Sequence, residues 1–145
     1  MQRPQILLVE DNKADLFLMR EAITATLPAD LHTVSDGESA VRFIDSADSD
    51  DAAPCPDLIL LDLNLPKKSG IEVLQHIRRS RKCCSTLILI VTSSDSQNDR
   101  KATAELGVND YFRKPSSYDA YCKIGEIVKD LLTTPPEKPV SAEPQ

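Results

Sequence analysis

Three carboxylates follow the most apolar segments of this sequence. Glu10 and Asp11 come directly after QILLV at 5–9, and Asp62 comes directly after DLILL at 57–61. Two carboxylates about 4 Å apart repel each other by about 4 kcal/mol at an effective dielectric constant of about 20. If the three converge, they need a cation. Mg²⁺ fits, because it binds one or two carboxylates and keeps other positions for water and a phosphate.

Hydroxyl and amino groups follow two later apolar segments. Thr92 and Ser93 come after LILIV at 87–91, and Lys114 follows the short segment YF at 111–112. A hydroxyl and a mobile ammonium are groups that orient and neutralise phosphoryl oxygens. Together with the acidic residues, they predict a phosphoryl-transfer site.

Five apolar segments of strand length alternate with segments of helix length. The predicted strands are 5–9, 31–34, 57–61, 87–91 and 111–112, and the predicted helices are about 13–27, 36–47, 70–79, 96–106 and 117–132. Strands that are apolar nearly throughout are typical of a parallel sheet buried on both faces, so the pattern predicts a doubly wound (βα)5 domain of the α/β class. In such a sheet, ligands bind beyond the carboxyl ends of the strands, and the polar residues should meet at one rim.

Three segments depart from this regular pattern. The fourth predicted helix is the most polar, with Ala102 and Leu106 as its only clear core candidates. The segment 45–56 is predicted to be an acidic surface loop. The Pro-rich segment 133–145 is predicted to be disordered, which leaves residues 1–132 as the domain.

Composition limits the classes of function. A length of 145 residues indicates one domain, and a net charge of -6 argues against a nucleic-acid partner. The four cysteines have no zinc-ligand spacing. The N-terminal MQRPQILLVED resembles neither a signal peptide nor a membrane span. We therefore expect a cytoplasmic protein with no membrane partner and with reduced thiols.

Each polar residue also has a purely structural interpretation. Asp11 or Asn12 could cap the first helix, and Asp62 could cap the segment LNLP. Thr92 and Ser93 could cap the fourth helix. Lys114 alone is typical of a solvated surface charge, and Tyr111 of a half-buried strand aromatic.

Four segments together resemble a known family. LLVEDN at 7–12, LILLDLNLPKKSG at 58–70, ILIVTSS at 88–94 and YFRKP at 111–115 are similar to the signature segments of response-regulator receiver domains, in the same order and spacing. Within that family, VEDNKAD with LDLNLPKKSG is most similar to the small stand-alone receivers, or single-domain response regulators, that accompany phytochrome-type histidine kinases. The resemblance covers about residues 5–132 and implies a flavodoxin-like fold with the strand order 2-1-3-4-5.

The resemblance also implies a role for each site residue. Asp62 would accept a phosphoryl group from a histidine kinase, and Mg²⁺ would be held by Glu10, Asp11, Asp62 and the backbone carbonyl of Asn64. Thr92 and Lys114 would pair with phosphoryl oxygens. These roles are typical of a protein that catalyses only its own phosphorylation and dephosphorylation.

Three further features follow from the same resemblance. Ser93 would lend its backbone N–H to the phosphoryl group. Tyr111 would be a switch aromatic that responds to Thr92. The bond between Lys114 and Pro115 would be cis, as in the family.

Two other function classes compete with a phosphorylation-dependent signalling switch. An aspartyl-phosphate phosphohydrolase of the haloacid-dehalogenase kind would carry its nucleophile after the first strand, with an acidic residue two positions later, where this sequence has Asn64 after Asp62. A degenerate receiver would lack an acid, the Thr or the Lys. For the favoured class we predict a homodimer through the fourth helix, fifth strand and fifth helix, whose charges of both signs suit a two-fold contact. Those charged residues are Arg100, Lys101, Glu105, Asp110 and Arg113.

Overall fold

A five-stranded parallel sheet forms the centre of the molecule. The computed structural model describes residues 3–134. The strands are β1 (Gln5–Val9), β2 (Asp30–Val34), β3 (Leu58–Leu61), β4 (Leu87–Thr92) and β5 (Asp110–Arg113). They are hydrogen-bonded in the order β2-β1-β3-β4-β5, and every pairing is parallel. The predicted fold class and strand order are confirmed.

Helices connect the strands and cover both faces of the sheet. They are α1 (Lys13–Thr24), α2 (Gly37–Ser49), α3 (Gly70–Arg78), α4 (Gln97–Glu105), α5 (Tyr118–Tyr121) and α6 (Lys123–Thr133). The predicted fifth helix is thus divided at Cys122. Because Cys122 keeps helical angles (φ -63°, ψ -18°), the division is a local one.

The core has two halves, one on each face of the sheet. Alternate residues of β1, β3 and β4 point to opposite faces, so an apolar strand buries both of its sides. One face packs against α2 and α3, and the other against α1, α5 and α6. The ends of β1 and β3 are therefore held by a rigid, fully packed sheet.

Several sequence expectations need correction. The segment 45–56 is not wholly a loop, because α2 continues to Ser49. In α4 the buried residue is Thr103, while Ala102 and Leu106 are only partly buried. The Thr103 hydroxyl can be buried because it donates to the backbone carbonyls of Asp99 and Arg100, at 2.9 and 3.1 Å.

The expectation of reduced thiols is wrong for two cysteines. Cys55 and Cys83 form a disulfide, with their Cα atoms 5.5 Å apart. These cysteines are 28 residues apart in sequence, but they precede the neighbouring parallel strands β3 and β4, which start at the same edge of the sheet. Cys84 and Cys122 are free and exposed.

The predicted disordered tail lies almost wholly outside the described residues. Thr133 still belongs to α6, and residues 135–145 are not described. The domain boundary at 132 therefore stays a prediction. Between residues 3 and 134, none of the helices has the length and apolarity that crossing a membrane requires.

Candidate functional site

The three predicted carboxylates meet at the carboxyl ends of β1 and β3. Val9 pairs with Leu61 in the sheet, so the residues that follow them lie side by side. One carboxylate oxygen from each of Glu10, Asp11 and Asp62 lies within 4.8 Å of the others. Glu10 and Asp62 are 2% and 4% exposed, whereas Asp11 is exposed. We call these three residues the acidic cluster.

The turn after β3 holds Asp62 in place. The Asn64 N–H donates to Asp62 Oδ1 at 3.0 Å, and the Gly70 N–H donates to the Leu63 carbonyl at 2.9 Å. A Cβ atom on Gly70 would overlap the Asp62 carbonyl oxygen and the Cα of Leu63. Glycine is therefore required where α3 begins against the Asp62 backbone. The prediction that the Asn64 carbonyl binds a metal stays a prediction.

Lys114 extends into the acidic cluster from the end of β5. Its Nζ lies 2.8 Å from Asp62 Oδ2, 2.8 Å from Asp15 Oδ2 and 2.9 Å from Glu10 Oε1. Burial alone would lower the pKa of Lys114, but hydrogen bonds to Asp15 and Asp62 and the neighbouring Glu10 carboxylate raise it above its ordinary value. Lys114 is therefore an ammonium across the physiological range.

Asp15 is the one member of this constellation that the sequence analysis did not select. It lies in the first turn of α1, four residues after Asp11. A helix that follows a parallel strand begins at the carboxyl ends of the strands, so the place of Asp15 in the first turn of α1 was a usable signal. It was weak, because an acidic residue in the first turn of a helix is common for dipole reasons alone.

Glu10 is a member of the acidic cluster whose ionised form is disfavoured by its surroundings. Burial raises its pKa to about 7, with the Asp62 charge adding to the effect and the Asn12 N–H and Lys114 opposing it. Its Oε2 accepts the Asn12 N–H at 3.0 Å. Its Oε1 is buried without a hydrogen bond, because Lys114 Nζ is close enough for ionic attraction but is not aligned as a donor.

This donor set fits a divalent cation that prefers oxygen. An unsatisfied buried oxygen on Glu10 lies beside a second buried carboxylate, Asp62. The third carboxylate, Asp11, faces solvent and leaves room for bound water. Two or three carboxylates with space for water are the ligands that Mg²⁺ and Mn²⁺ accept.

The hydroxyl residues lie at the end of β4 and on the loop that follows it. Thr92 is fully buried at the end of β4, and its carbonyl accepts the Lys114 N–H at 2.8 Å. Ser93 is exposed. The Ser94 carbonyl accepts a hydrogen bond from the Tyr111 hydroxyl at 2.9 Å. The end of β4 is thus hydrogen-bonded to Lys114, just after β5, and the loop that follows β4 is hydrogen-bonded to Tyr111 in β5.

Side chains outside the acidic cluster cap α1 and α4. Asn12 caps α1 by accepting the Asp15 N–H, and Ser96 caps α4 by accepting the Asp99 N–H. Asp11, Thr92 and Ser93 are therefore not helix caps. The helix-cap interpretation is thus wrong for these three residues and right for Asn12.

The expected cis bond between Lys114 and Pro115 is also wrong for this structure. Within residues 3–134 every peptide bond is trans. The trans preference of a bond before proline is only about 0.5–1 kcal/mol, so the residue types alone do not decide the isomer.

Known proteins are similar to this chain in both sequence and fold. The family model described as "Response regulator receiver domain" matches residues 6–124. The response regulator Rcp1 of Synechocystis is 42% identical over 110 residues, which are 75% of this chain and 75% of Rcp1.

Two solved structures are similar to this chain in fold as well as in sequence. The phosphorylated cyanobacterial phytochrome response regulator RcpA superposes with a TM-score of 0.83 at 35% identity, over 93% of this chain and 98% of RcpA. The Mn²⁺-bound form of Rcp1 superposes with a TM-score of 0.81 at 36% identity, over 92% of this chain and 97% of Rcp1.

Proposed function

The chain belongs to the response regulator receiver domain family, and on that premise we propose that Asp62 is its phosphoacceptor. The protein acts in two-component signalling, in which a receiver takes a phosphoryl group from a histidine kinase. The observation that carries the assignment of Asp62 is geometric. A buried carboxylate lies within 4.8 Å of two others and 2.8 Å from an ammonium.

The chemistry that we propose is one nucleophilic displacement. A carboxylate oxygen of Asp62 attacks the phosphorus of a phosphohistidine, the P–N bond breaks and an acyl phosphate forms. The leaving imidazole nitrogen keeps the bonding electron pair and takes a proton from solvent. Lys114 and the Thr92 hydroxyl pair with phosphoryl oxygens, and the Ser93 N–H donates to a third.

The acidic cluster is the proposed metal site, and Mg²⁺ is the proposed ion. Glu10, Asp11 and Asp62 would hold it, with the Asn64 carbonyl as a further ligand. A bound divalent ion would neutralise charge on the phosphoryl oxygens during transfer. The Mn²⁺ in the related Rcp1 structure supports a divalent site. Our choice of Mg²⁺ rests on its ligand preferences.

A labelling experiment tests the assignment of Asp62. We expect acetyl phosphate with Mg²⁺ to add one phosphoryl group, detected by intact mass, and EDTA to prevent the addition. Asp62→Asn should abolish it, whereas Asp51→Asn, at an exposed aspartate, should leave it unchanged. Labelling that persists in Asp62→Asn would place the nucleophile elsewhere.

A signalling role is favoured over a hydrolase role by the position of Asp62. A haloacid-dehalogenase type of site would carry its nucleophile after β1, whereas Asp62 follows β3. The exposed residue two positions later is Asn64, which is neutral at all pH values. We propose that the catalysis is limited to the protein's own phosphorylation and dephosphorylation.

The kinase that we propose is of the phytochrome type. RcpA carries the name of a phytochrome response regulator, and it is 35% identical to this chain. Because histidine kinases draw on cytoplasmic ATP, we also propose a cytoplasmic location. Transfer rates from a panel of purified histidine kinases would test the partner. Preference for a kinase without a phytochrome sensor would contradict it.

For the output we propose a homodimer through α4, β5, α5 and α6. Lys101, Glu105 and Asp110 are exposed on this surface. Arg100 and Arg113 are also exposed, but both pair with Asp95 of the same chain, at 2.8 and 3.8 Å. The intramolecular pairs reduce the charge that these two arginines offer a partner.

Sedimentation with and without beryllofluoride tests the dimer. We expect association to strengthen in its presence and Glu105→Arg to prevent it, with Glu38→Arg on α2 as the control. A monomer in both states at about 100 µM would exclude a dimer of micromolar affinity. The output would then be a different protein.

A further inference from the structure

Lys114 is shared among three carboxylates that differ in access to water. Its Nζ lies 2.8 to 2.9 Å from oxygens of Asp15, Asp62 and Glu10. The side chain of Asp15 is 22% exposed, whereas those of Asp62 and Glu10 are 5% and 0% exposed. An ammonium has three N–H groups, and three carboxylates surround this one. One of these contacts must yield before Lys114 can pair with a phosphoryl oxygen.

Among the three carboxylates, Asp15 is the one whose separation from Lys114 costs the least free energy. Water can solvate its partly exposed carboxylate once Lys114 has moved away. The carboxylate of Glu10 has no access to water, and leaving a buried charge unpaired is strongly destabilising. We therefore expect Lys114 to break its contact with Asp15 when it pairs with a phosphoryl oxygen.

Asp15 also differs from the other two carboxylates in its relation to the metal site. Glu10 and Asp62 belong to the acidic cluster, and Asp15 does not. A cation held by the cluster would neutralise Glu10 and Asp62 and repel the Lys114 ammonium. Asp15 is then the carboxylate with full charge that remains beside Lys114.

We propose that Asp15 is a positioning residue that competes with the phosphoryl group for Lys114. The inference rests on the proposed phosphoacceptor role of Asp62. Asp15 draws the ammonium toward α1, which makes room for the cation but withholds Lys114 from the phosphoryl oxygens. Asp15 therefore favours cation binding and opposes phosphoryl binding through the same contact.

Replacing Asp15 should change the two affinities in opposite directions. For Asp15→Asn we expect the dissociation constant for Mg²⁺ alone to rise about threefold, because Lys114 returns to Glu10 and Asp62. At saturating Mg²⁺, the constant for beryllofluoride should fall about fivefold, because the competing carboxylate is gone. Titration calorimetry measures the first constant and fluorine NMR the second. A general loss of structure would weaken both.

A double-mutant comparison shows whether Asp15 acts through Lys114. In a Lys114→Ala background, Asp15→Asn should change neither constant by more than about twofold. An Asp15 charge that acted on the ligands directly would keep its effects in that background. Glu21→Gln removes an exposed charge from the same helix and should leave both constants at their wild-type values.

The possible results separate this inference from the proposed function. If the wild type binds no beryllofluoride with Mg²⁺, the proposed function fails. If the wild type binds it and Asp15→Asn binds it equally or more weakly, only the inference fails. Asp15→Ser is a second variant for the case that Asp15→Asn does not fold, and the same opposite shifts are expected from it.

Discussion

The Tyr111 hydroxyl donates a hydrogen bond to the backbone carbonyl of Ser94, at 2.9 Å. The half-buried ring of Tyr111 lies beneath the Arg100 guanidinium, 4.2 Å from the ring centroid. Tyr111 thus connects β5 to the loop after β4 and to α4. A movement of Thr92 toward a phosphoryl group would displace Ser94 and weaken this contact. The role of Tyr111 as a switch stays a prediction.

Tyr111→Phe should destabilise the unphosphorylated protein by about 1 kcal/mol, since it removes one hydrogen bond from a partly buried group. The same loss should favour the state in which Ser94 has moved, so beryllofluoride should bind more tightly. Urea unfolding and a beryllofluoride titration would measure the two effects. Tyr118→Phe, at a side chain that is 58% exposed, is the control. A destabilised variant with unchanged beryllofluoride affinity would mean that the hydroxyl has no switching role.

Lys114→Ala should destabilise the metal-free protein by about 3 kcal/mol, because Asp62 and Glu10 lose the cation that neutralises them. Mg²⁺ should restore more stability to this variant than to the wild type and bind it more tightly, because it no longer competes with the ammonium. Urea unfolding with and without Mg²⁺ measures both effects. Lys101→Ala removes an exposed amine and should match the wild type. An equal Mg²⁺ increment in Lys114→Ala and the wild type would show that Lys114 and the metal do not compete.

Glu10 should make the stability of the metal-free protein depend on pH. Burial raises its pKa from 4.5 to about 7, so its protonation favours the folded state. That contribution is complete below about pH 4.5 and is lost as the pH rises to about 7. Relative to Glu10→Gln, the wild type should lose about 2–3 kcal/mol over this range. Denaturant unfolding at several pH values measures the difference.

A suitable control for this pH series is Glu105→Gln, at an exposed glutamate on α4. Its stability should follow the wild-type curve throughout. Parallel curves for the wild type and Glu10→Gln would show that Glu10 titrates normally in the folded protein.

Gly70→Ala should impair phosphorylation more than stability. The added Cβ would overlap the Asp62 carbonyl oxygen and displace the backbone that carries the nucleophile. We expect a loss of about 1–3 kcal/mol in stability and at least about a tenfold fall in the acetyl phosphate reaction rate. Intact-mass time courses measure the rate.

Gly107→Ala provides the matched control for that prediction. Gly107 has a positive φ of 74°, so alanine there costs about 1–2 kcal/mol of backbone strain, but its Cβ would meet no atom closer than 3.9 Å. The phosphorylation rate of Gly107→Ala should equal that of the wild type. Equal rates for the two variants would show that packing against Asp62 does not control the reaction.

The sequence by itself was sufficient for the fold and for most of the site. Strands that are apolar throughout, such as Leu58–Leu61, alternating with helical segments, imply a parallel sheet. A parallel sheet brings all its carboxyl ends to one rim. Glu10, Asp11, Asp62, Thr92 and Lys114 could be selected because each follows a strand. These are local properties of the chain combined with one rule of topology.

Only the tertiary structure decided which of these groups touch. The contact of Asp15 with Lys114 joins residues 99 apart in sequence, and the disulfide of Cys55 with Cys83 joins residues 28 apart. Such pairs depend on strand register, on the direction of a side chain and on the turns at each strand end. The periodicity of apolar residues does not predict register, side-chain direction and turn geometry together. The competition among three carboxylates for one ammonium is therefore a property of the folded chain, because it exists only where β1, β3, β5 and α1 meet.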